Sequence, residues 1–183
     1  MSARLHNGRV RVLAQGDAPA YRALRLRMLQ LHPDAFTSSY EDDVAQPLSW
    51  TETRIAANAW APDNFVLGAF DAAVTLIGAV GIARESRRKE AHKGRLFGMF
   101  VAPEHAGCGV GRALLVACLA RCDTIAGLIT VSLSVTAENL RAYRLYSSCG
   151  FVEYGLEPQA ICVDGVFYAK RHMQWSLSHK LSR

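Results

Sequence analysis

The chain has 183 residues, half of them hydrophobic, and carries a formal net charge of +5. This size supports a single domain over residues 1–183. The five cysteines show no CxxC pattern and no spacing suited to zinc, which indicates reduced thiols, no disulfide framework and no metal site. The sequence has no signal-peptide pattern and no apolar run of the roughly 18 residues that a membrane span needs, which favours a cytoplasmic protein outside the membrane.

The first predicted elements are a strand and a helix. Residues 10–14 alternate between apolar and polar side chains as a strand does, and Asp17 followed by Pro19 is typical of a helix start. The helix then carries apolar residues at helical spacing, namely Tyr21, Leu24, Met28 and Leu31. The polar, acidic segment 32–47 predicts a loop, and a second helix is predicted around Trp50 to Ala59.

Three strands are predicted next. Residues 65–70 and 75–84 are apolar runs joined by a short turn, and a third strand covers about 95–101. Their succession predicts an antiparallel meander. The basic segment 84–95 between the last two strands is predicted to be a solvated hairpin tip. Because it lacks interleaved aromatic residues, we do not expect it to bind nucleic acid.

Residues 96–115 carry the strongest functional signal. An apolar strand leads into a turn with Gly107, Gly109 and Gly111, and a helix follows at once. Such a turn exposes backbone N–H groups at a helix N-terminus, which is a binding site for phosphate. Arg112 stands where the dinucleotide pattern GxGxxG has its last glycine, and the Gly-Lys-Ser/Thr of a nucleoside-triphosphate loop is missing. The segment therefore predicts a phosphorylated cofactor other than NAD or ATP.

The following elements complete a mixed sheet. A helix is predicted over 111–126 and a buried strand over 129–135, so that strand, helix and strand form a parallel pair. A further helix has Asn139, Ala142 and Tyr146 on one face, at positions i, i+3 and i+7.

The C-terminal segment predicts a hairpin. Residues 160–163 and 166–177 flank Asp164 and Gly165, a dipeptide favoured in tight turns. The predicted fold is therefore α+β, with a mixed, mostly antiparallel twisted sheet, a central parallel strand pair and helices on both faces.

Two segments together resemble the GNAT superfamily of N-acetyltransferases. Val101 and Pro103, followed by the three glycines, match the Val-x-Pro and Gly-x-Gly-x-Gly/Ala of its acyl-CoA loop, although Ala106 occupies the position of the family's Arg or Gln. Residues 136–151 resemble the family's Asn-x-x-Ala-x-x-Leu-Tyr…Gly-Phe segment. The resemblance covers about residues 10–176 and implies a GNAT-like fold, in which two central strands splay apart around the co-substrate acetyl-CoA.

The resemblance implies a set of cofactor-binding residues. Backbone groups of three strand residues would bond to the pantetheine arm, six loop residues would hold the pyrophosphate, and three helix residues would lie along the arm. In that order they are Met99, Phe100 and Val101; Gly107, Cys108, Gly109, Val110, Gly111 and Arg112; and Asn139, Ala142 and Tyr146.

The implied chemistry is direct acetyl transfer, within a ternary complex, to a primary amine of a small molecule, a protein N-terminus or a lysine. Tyr146 is expected to act as the general acid for the departing sulfur, and a backbone N–H near Phe100 to stabilise the oxyanion. The base that deprotonates the amine is expected to be Glu41 or His92.

Two other functions stay open on the sequence. A non-catalytic acyl-CoA sensor would keep the loop but lose the acid, so the presence of Tyr146 argues against it. A protein-interaction module would bind its partner without CoA. The amine acceptor is expected to contact segments 32–50 and 153–168, and an exposed hairpin edge could pair with a second copy to form a homodimer.

Overall fold

The computed structural model describes residues 4–5, 8–56 and 63–177. The strands are β1 (Arg4–Leu5), β2 (Gly8–Val12), β3 (Phe65–Phe70), β4 (Leu76–Arg84), β5 (Lys93–Val101), β6 (Thr130–Thr136), β7 (Val152–Val163) and β8 (Val166–Ser176). The helices are α1 (Ala18–Leu31), α2 (Tyr40–Ala45), α3 (Leu48–Ile55), α4 (Val110–Asp123) and α5 (Leu140–Ser148). Within these ranges, no helix has the length and apolar character needed to cross a bilayer.

All the strands belong to one sheet, in the order β1-β2-β3-β4-β5-β6-β8-β7. The pair β5–β6 is parallel and every other neighbouring pair is antiparallel. The crossover between the parallel strands contains α4, as a parallel connection requires. The prediction of a mixed sheet with one central parallel pair is therefore confirmed.

The parallel pairing is short. Only Lys93, Gly94 and Arg95 of β5 pair with β6, and the two strands then separate. Because β6 is the neighbour of β5 on that side of the sheet, the later backbone of β5, residues 96–101, faces a gap without a described strand partner there. Those of its main-chain N–H and C=O groups that point away from β4 are therefore available to a ligand lying in the gap.

A β-bulge lies in β5 at this gap. Ala79 of β4 pairs with Phe100 and Gly81 pairs with Phe97, so β5 has one residue more than β4 over this stretch. Gly98 lies within it with φ of 57°, a left-handed conformation that glycine adopts without the steric cost of a side chain. The bulge redirects the strand just before the segment that faces the gap.

The two faces of the sheet bury separate cores. One core contains α4 side chains such as Leu114 and Cys118 together with Tyr146 of α5. The other contains Tyr21 and Met28 of α1. Helices therefore cover both faces, as the sequence predicted.

The beginning of α1 agrees with the sequence signal at Asp17. Asp17 is the residue before the helix, but its carboxylate turns back to accept hydrogen bonds from Arg11 at 2.6 and 2.8 Å and from the Ala14 amide at 2.8 Å. The hydrogen bond from Arg11 is the main reason that the pKa of Asp17 is lowered.

Three predicted boundaries differ from the structure. The segment 32–47 contains the short helix α2 because the Ser39 hydroxyl accepts a 3.0 Å bond from the Asp42 amide at its start. The helix predicted around Trp50 to Ala59 is α3, which ends at Ile55, and residues 57–62 lie outside the described part. The first strand of the C-terminal hairpin begins at Val152, because two register shifts along β7 accommodate residues that interrupted the strand pattern.

Candidate active site

A cleft of about 710 Å³ opens where β5 and β6 separate. Its walls come from the end of α1 and the following turn, the end of β5, the glycine-containing turn before α4, and α5. The cleft therefore joins the two faces of the sheet through the gap between the parallel strands. Eleven of the twelve predicted cofactor-binding residues line it, namely Met99, Phe100, Val101, Gly107, Gly109, Val110, Gly111, Arg112, Asn139, Ala142 and Tyr146.

The turn before α4 presents main-chain donors to the cleft. Gly107 and Gly109 have φ of 86° and 78°, so both adopt the left-handed conformation that a tight turn needs here. The first helical bond of α4 runs from the Ala113 amide to the Gly109 carbonyl, at 3.0 Å. The amides of Val110 and Gly111 precede that bond and lie at the helix N-terminus, where they favour an anion.

Close packing around position 111 explains why this residue is a glycine. A Cβ there would lie 3.2 Å from Cδ2 of Leu145 and 3.5 Å from Cε of Met99. Both neighbours also line the cleft, so the glycine lets α4 approach α5 and β5 beside the glycine-containing turn. Cys108, the twelfth predicted residue, is exposed on the turn and is not part of the lining.

Helix α5 places the other predicted residues along the cleft. The Asn139 side-chain oxygen accepts a 3.0 Å bond from the Ala142 amide and so caps the helix. Gly150, with φ of 92°, follows the helix end in the left-handed conformation typical of a C-terminal cap. These two caps fix the helical face that carries Ala142 and Tyr146 toward the cleft.

Tyr146 is 7% exposed and lies at the inner wall. Its ring packs edge-on against Phe151, with the centroids 5.9 Å apart. Burial raises the pKa of Tyr146 far above its ordinary value, and the neighbouring Cys118 contributes in the same direction. The phenol therefore stays protonated and can donate a proton or a hydrogen bond.

The two predicted bases are not brought to the cleft wall. Glu41 is exposed in the first turn of α2. His92 is exposed just before β5, where its carbonyl accepts from the Ile129 and Thr130 amides at 2.7 and 3.1 Å. Since a strand rises about 3.3 Å per residue, the seven residues from His92 to Met99 span roughly 23 Å.

Sequence reasoning missed several charged or titratable residues of the cleft. These are His32, Asp34, His105, Glu138 and Arg141. Four of them follow no periodic or motif signal, because they lie in turns whose course depends on the tertiary structure. Three of the five nevertheless lie inside the recognised segments, His105 in 96–115 and Glu138 and Arg141 in 136–151, but none of them occupies a motif position.

The turn after α1 is attached to the far half of the sheet. The Thr136 hydroxyl on β6 donates to the Asp34 carbonyl at 2.6 Å. The Lys170 ammonium on β8 donates to the Thr37 hydroxyl, also at 2.6 Å. Thr136 and Lys170 are both buried, and burial lowers the pKa of Lys170. The two bonds hold in place the segment after α1, from which His32 and Asp34 line the cleft.

Comparison with known proteins agrees with this geometry. Residues 26–151, more than half of the chain, match the family described as Acetyltransferase (GNAT) family. The chain belongs to that family. The identification confirms the resemblance carried by the glycine turn and by the segment from Asn139 to Phe151.

Individual GNAT relatives are similar over different extents. Spermidine N(1)-acetyltransferase of Vibrio cholerae is 35% identical over 92 residues, which are 50% of this chain and 53% of that protein. The match thus spans only about half the length of this relative. A GNAT-family acetyltransferase structure from Streptococcus pneumoniae has a TM-score of 0.84 at 23% identity, covering 93% of this chain and 100% of that one. The structure of yncA from Salmonella typhimurium with its cofactor acetyl-CoA has a TM-score of 0.76 at 20% identity, covering 94% and 95%. At these identities the two structures support the GNAT fold.

Proposed function

We propose that this protein is an N-acetyltransferase that transfers the acetyl group of acetyl-CoA directly to a primary amine. The observation that carries the proposal is the composition of one cleft. The unpaired edge of β5, the amides at the start of α4 and the buried Tyr146 phenol all open into it. A thioester with a long amide-bearing arm and a pyrophosphate needs these three features in this combination.

The residues fit the cofactor from both ends. The amides of Val110 and Gly111 would bind pyrophosphate, since they are donors at a helix N-terminus without a helical acceptor. The backbone of Met99 to Val101 would bond to the amides of the pantetheine arm as an added strand does. Ala142, which lines the cleft, offers a small side chain beside the arm.

Acetyl-CoA, when bound, supplies an activated acyl group and a thiolate leaving group. Tyr146 would donate a proton or a hydrogen bond to the departing sulfur, and its raised pKa means that the phenol is in the protonated form that this role requires. A β5 amide near Phe100 donates a hydrogen bond to the carbonyl oxygen as negative charge develops on it. Two groups of this chain would thus stabilise the two sites of charge in the reaction.

The incoming ammonium must lose a proton before it attacks. Glu41 and His92 remain predictions for the base, and neither lines the cleft. His32 and Asp34 do line it, on the wall held by Thr136, and we include them among the candidate proton acceptors.

The similarity to a spermidine N(1)-acetyltransferase supports an amine of low molecular weight as the first acceptor to test.

The predicted homodimer is a separate proposal. Large apolar side chains are exposed on the β7–β8 hairpin, among them Val152, Tyr154, Leu156 and Phe167. Sedimentation equilibrium checks it: a monomer at all concentrations would contradict the dimer and leave the activity untouched.

The activity is tested by thiol release from acetyl-CoA with a panel of spermidine, lysine and a peptide with a free N-terminus. Matched controls are the same acceptors with every amine already acetylated. We expect thiol release to require a free amine and to equal the acetylated amine found by mass spectrometry. Equal thiol release with the blocked acceptors, or none with any free amine, would contradict an N-acetyltransferase.

A further inference from the structure

Arg141 is a cation of the cleft without a protein partner. It lies in the first turn of α5 and lines the cleft at its phosphate end. Its Nη2 atom is 3.8 Å from the position that a Cβ on Gly107 would occupy. Across the described ranges, no hydrogen bond or ion pair holds its guanidinium. The group is thus beside the glycine turn and free to bind an anion.

The glycine turn itself lacks a charged side chain at this point. Ala106, which precedes Gly107, occupies the position where the GNAT loop has Arg or Gln, and its methyl group offers no donor. Arg112, the next cation of the loop, donates from Nη1 to the Ser148 hydroxyl at 3.1 Å. Arg141 therefore approaches, from α5, the turn in which the usual polar side chain is missing.

We propose that Arg141 binds the pyrophosphate of acetyl-CoA at the Gly107 turn and replaces the polar side chain missing at position 106. This inference rests on the proposed use of acetyl-CoA. A guanidinium presents planar, paired donors that match phosphate oxygens. The Arg141 guanidinium is close enough to the turn for this role, since a Cβ on Gly107 would be in van der Waals contact with its Nη2 atom.

The electrostatics of this corner suit the proposal. Glu138, three residues before Arg141, also lines the cleft but forms no ion pair with it in the described contacts. The Arg141 side chain is exposed, so its contribution to binding should fall at the low end of the range for hydrogen bonds to charged groups. We expect a loss of about tenfold in affinity when it is removed.

The test is calorimetric titration of Arg141→Ala with acetyl-CoA and with acetyl-dephospho-CoA, which lacks the 3′-phosphate. We expect both ligands to bind about tenfold more weakly than to the wild type, and the salt dependence of affinity to become shallower. Arg144→Ala is the matched control, since Arg144 is exposed on the same helix and does not line the cleft. Its affinities should equal those of the wild type.

A rescue variant tests whether Arg141 replaces the side chain missing at position 106. In the Arg141→Ala background, Ala106→Gln should recover part of the lost affinity, because it restores a donor beside Gly107. Thermal unfolding without ligand verifies that each variant is folded, and Arg141→Gln replaces the alanine variant if that one does not fold.

Two results would overturn the inference. The first is unchanged affinity of folded Arg141→Ala for both ligands. The second is a loss for acetyl-CoA alone, which would assign Arg141 to the 3′-phosphate. If the wild type itself binds neither ligand, the proposed function fails, and that outcome is separate from both.

Discussion

Replacing Tyr146 by phenylalanine removes one oxygen atom from the cleft and leaves the ring. The ring is buried and packs on Phe151 at 5.9 Å, so its packing is retained and the unfolding free energy should change by less than about 1 kcal/mol. The chemical consequence is much larger. Loss of a positioned general acid lowers kcat by about 10²–10⁴-fold, or roughly 3–5 kcal/mol of transition-state stabilisation.

The pH dependence follows from the raised pKa of Tyr146. Since burial keeps the wild-type phenol protonated, the ratio of wild-type to variant kcat should stay constant from about pH 6 to 9. The affinity for acetyl-CoA should change by less than about twofold, because the phenol acts on the leaving sulfur.

The assay is steady-state thiol release with a saturating amine, combined with calorimetric titration of acetyl-CoA. Tyr143→Phe is the matched control, because Tyr143 is on the same helix but does not line the cleft. It should retain wild-type kcat. A Tyr146→Phe variant with a kcat close to that of the wild type would refute the assignment of the general acid.

Three further changes test the architecture around the cleft. Gly109→Ala should lower the unfolding free energy by about 1 kcal/mol in urea titrations, because a φ of 78° strains an alanine. The control Gly16→Ala should not be destabilising, since Gly16 has open space around it and no left-handed φ. Thr136→Val removes the hydrogen bond to the turn after α1, so it should lower the unfolding free energy by about 1 kcal/mol and raise the KM for the amine more than the KM for acetyl-CoA. The control Ser134→Ala, at an exposed position of the same strand, should change neither the unfolding free energy nor the KM values. Asp17→Asn should lower Tm at neutral pH, and the difference in Tm between wild type and variant should shrink toward about pH 3. The reason is that the lowered pKa of Asp17 gives stability that is present above the ordinary pKa of an aspartate and is lost on acidification. Tm curves that run parallel over this pH range would contradict the prediction.

The sequence predicts the residues of the cleft at those positions where local backbone geometry determines where a residue lies. The sequence predicts Gly107 and Gly109 in a phosphate-binding turn because they stand between an apolar strand and the start of a helix, and both have left-handed backbones in the structure. Tyr146 was predicted on one face with Ala142 because helical spacing fixes it, and both line the cleft.

Other features depend on contacts between distant segments. The bulge at Gly98 leaves the apolar strand pattern intact, so the sequence alone does not reveal it. Asp34 lines the cleft, and its own carbonyl is held by the Thr136 hydroxyl from a strand that is distant in sequence. His92 is predicted as a base from its residue type and its position at the start of a strand, but the sequence does not show that the extended β5 separates it from Met99 by the length of the strand.

The central claim is that the cleft between β5 and β6 binds acetyl-CoA, and thermal unfolding with acetyl-CoA, CoA, NAD and ATP at equal concentration tests it most directly. At 100 times its Kd a ligand stabilises a protein by about 2.7 kcal/mol, which for a chain of this size corresponds to a rise in Tm of roughly 5 to 11 °C. We expect that rise with acetyl-CoA and CoA and none with NAD or ATP. No rise with either CoA ligand, or an equal rise with all four, would contradict the claim.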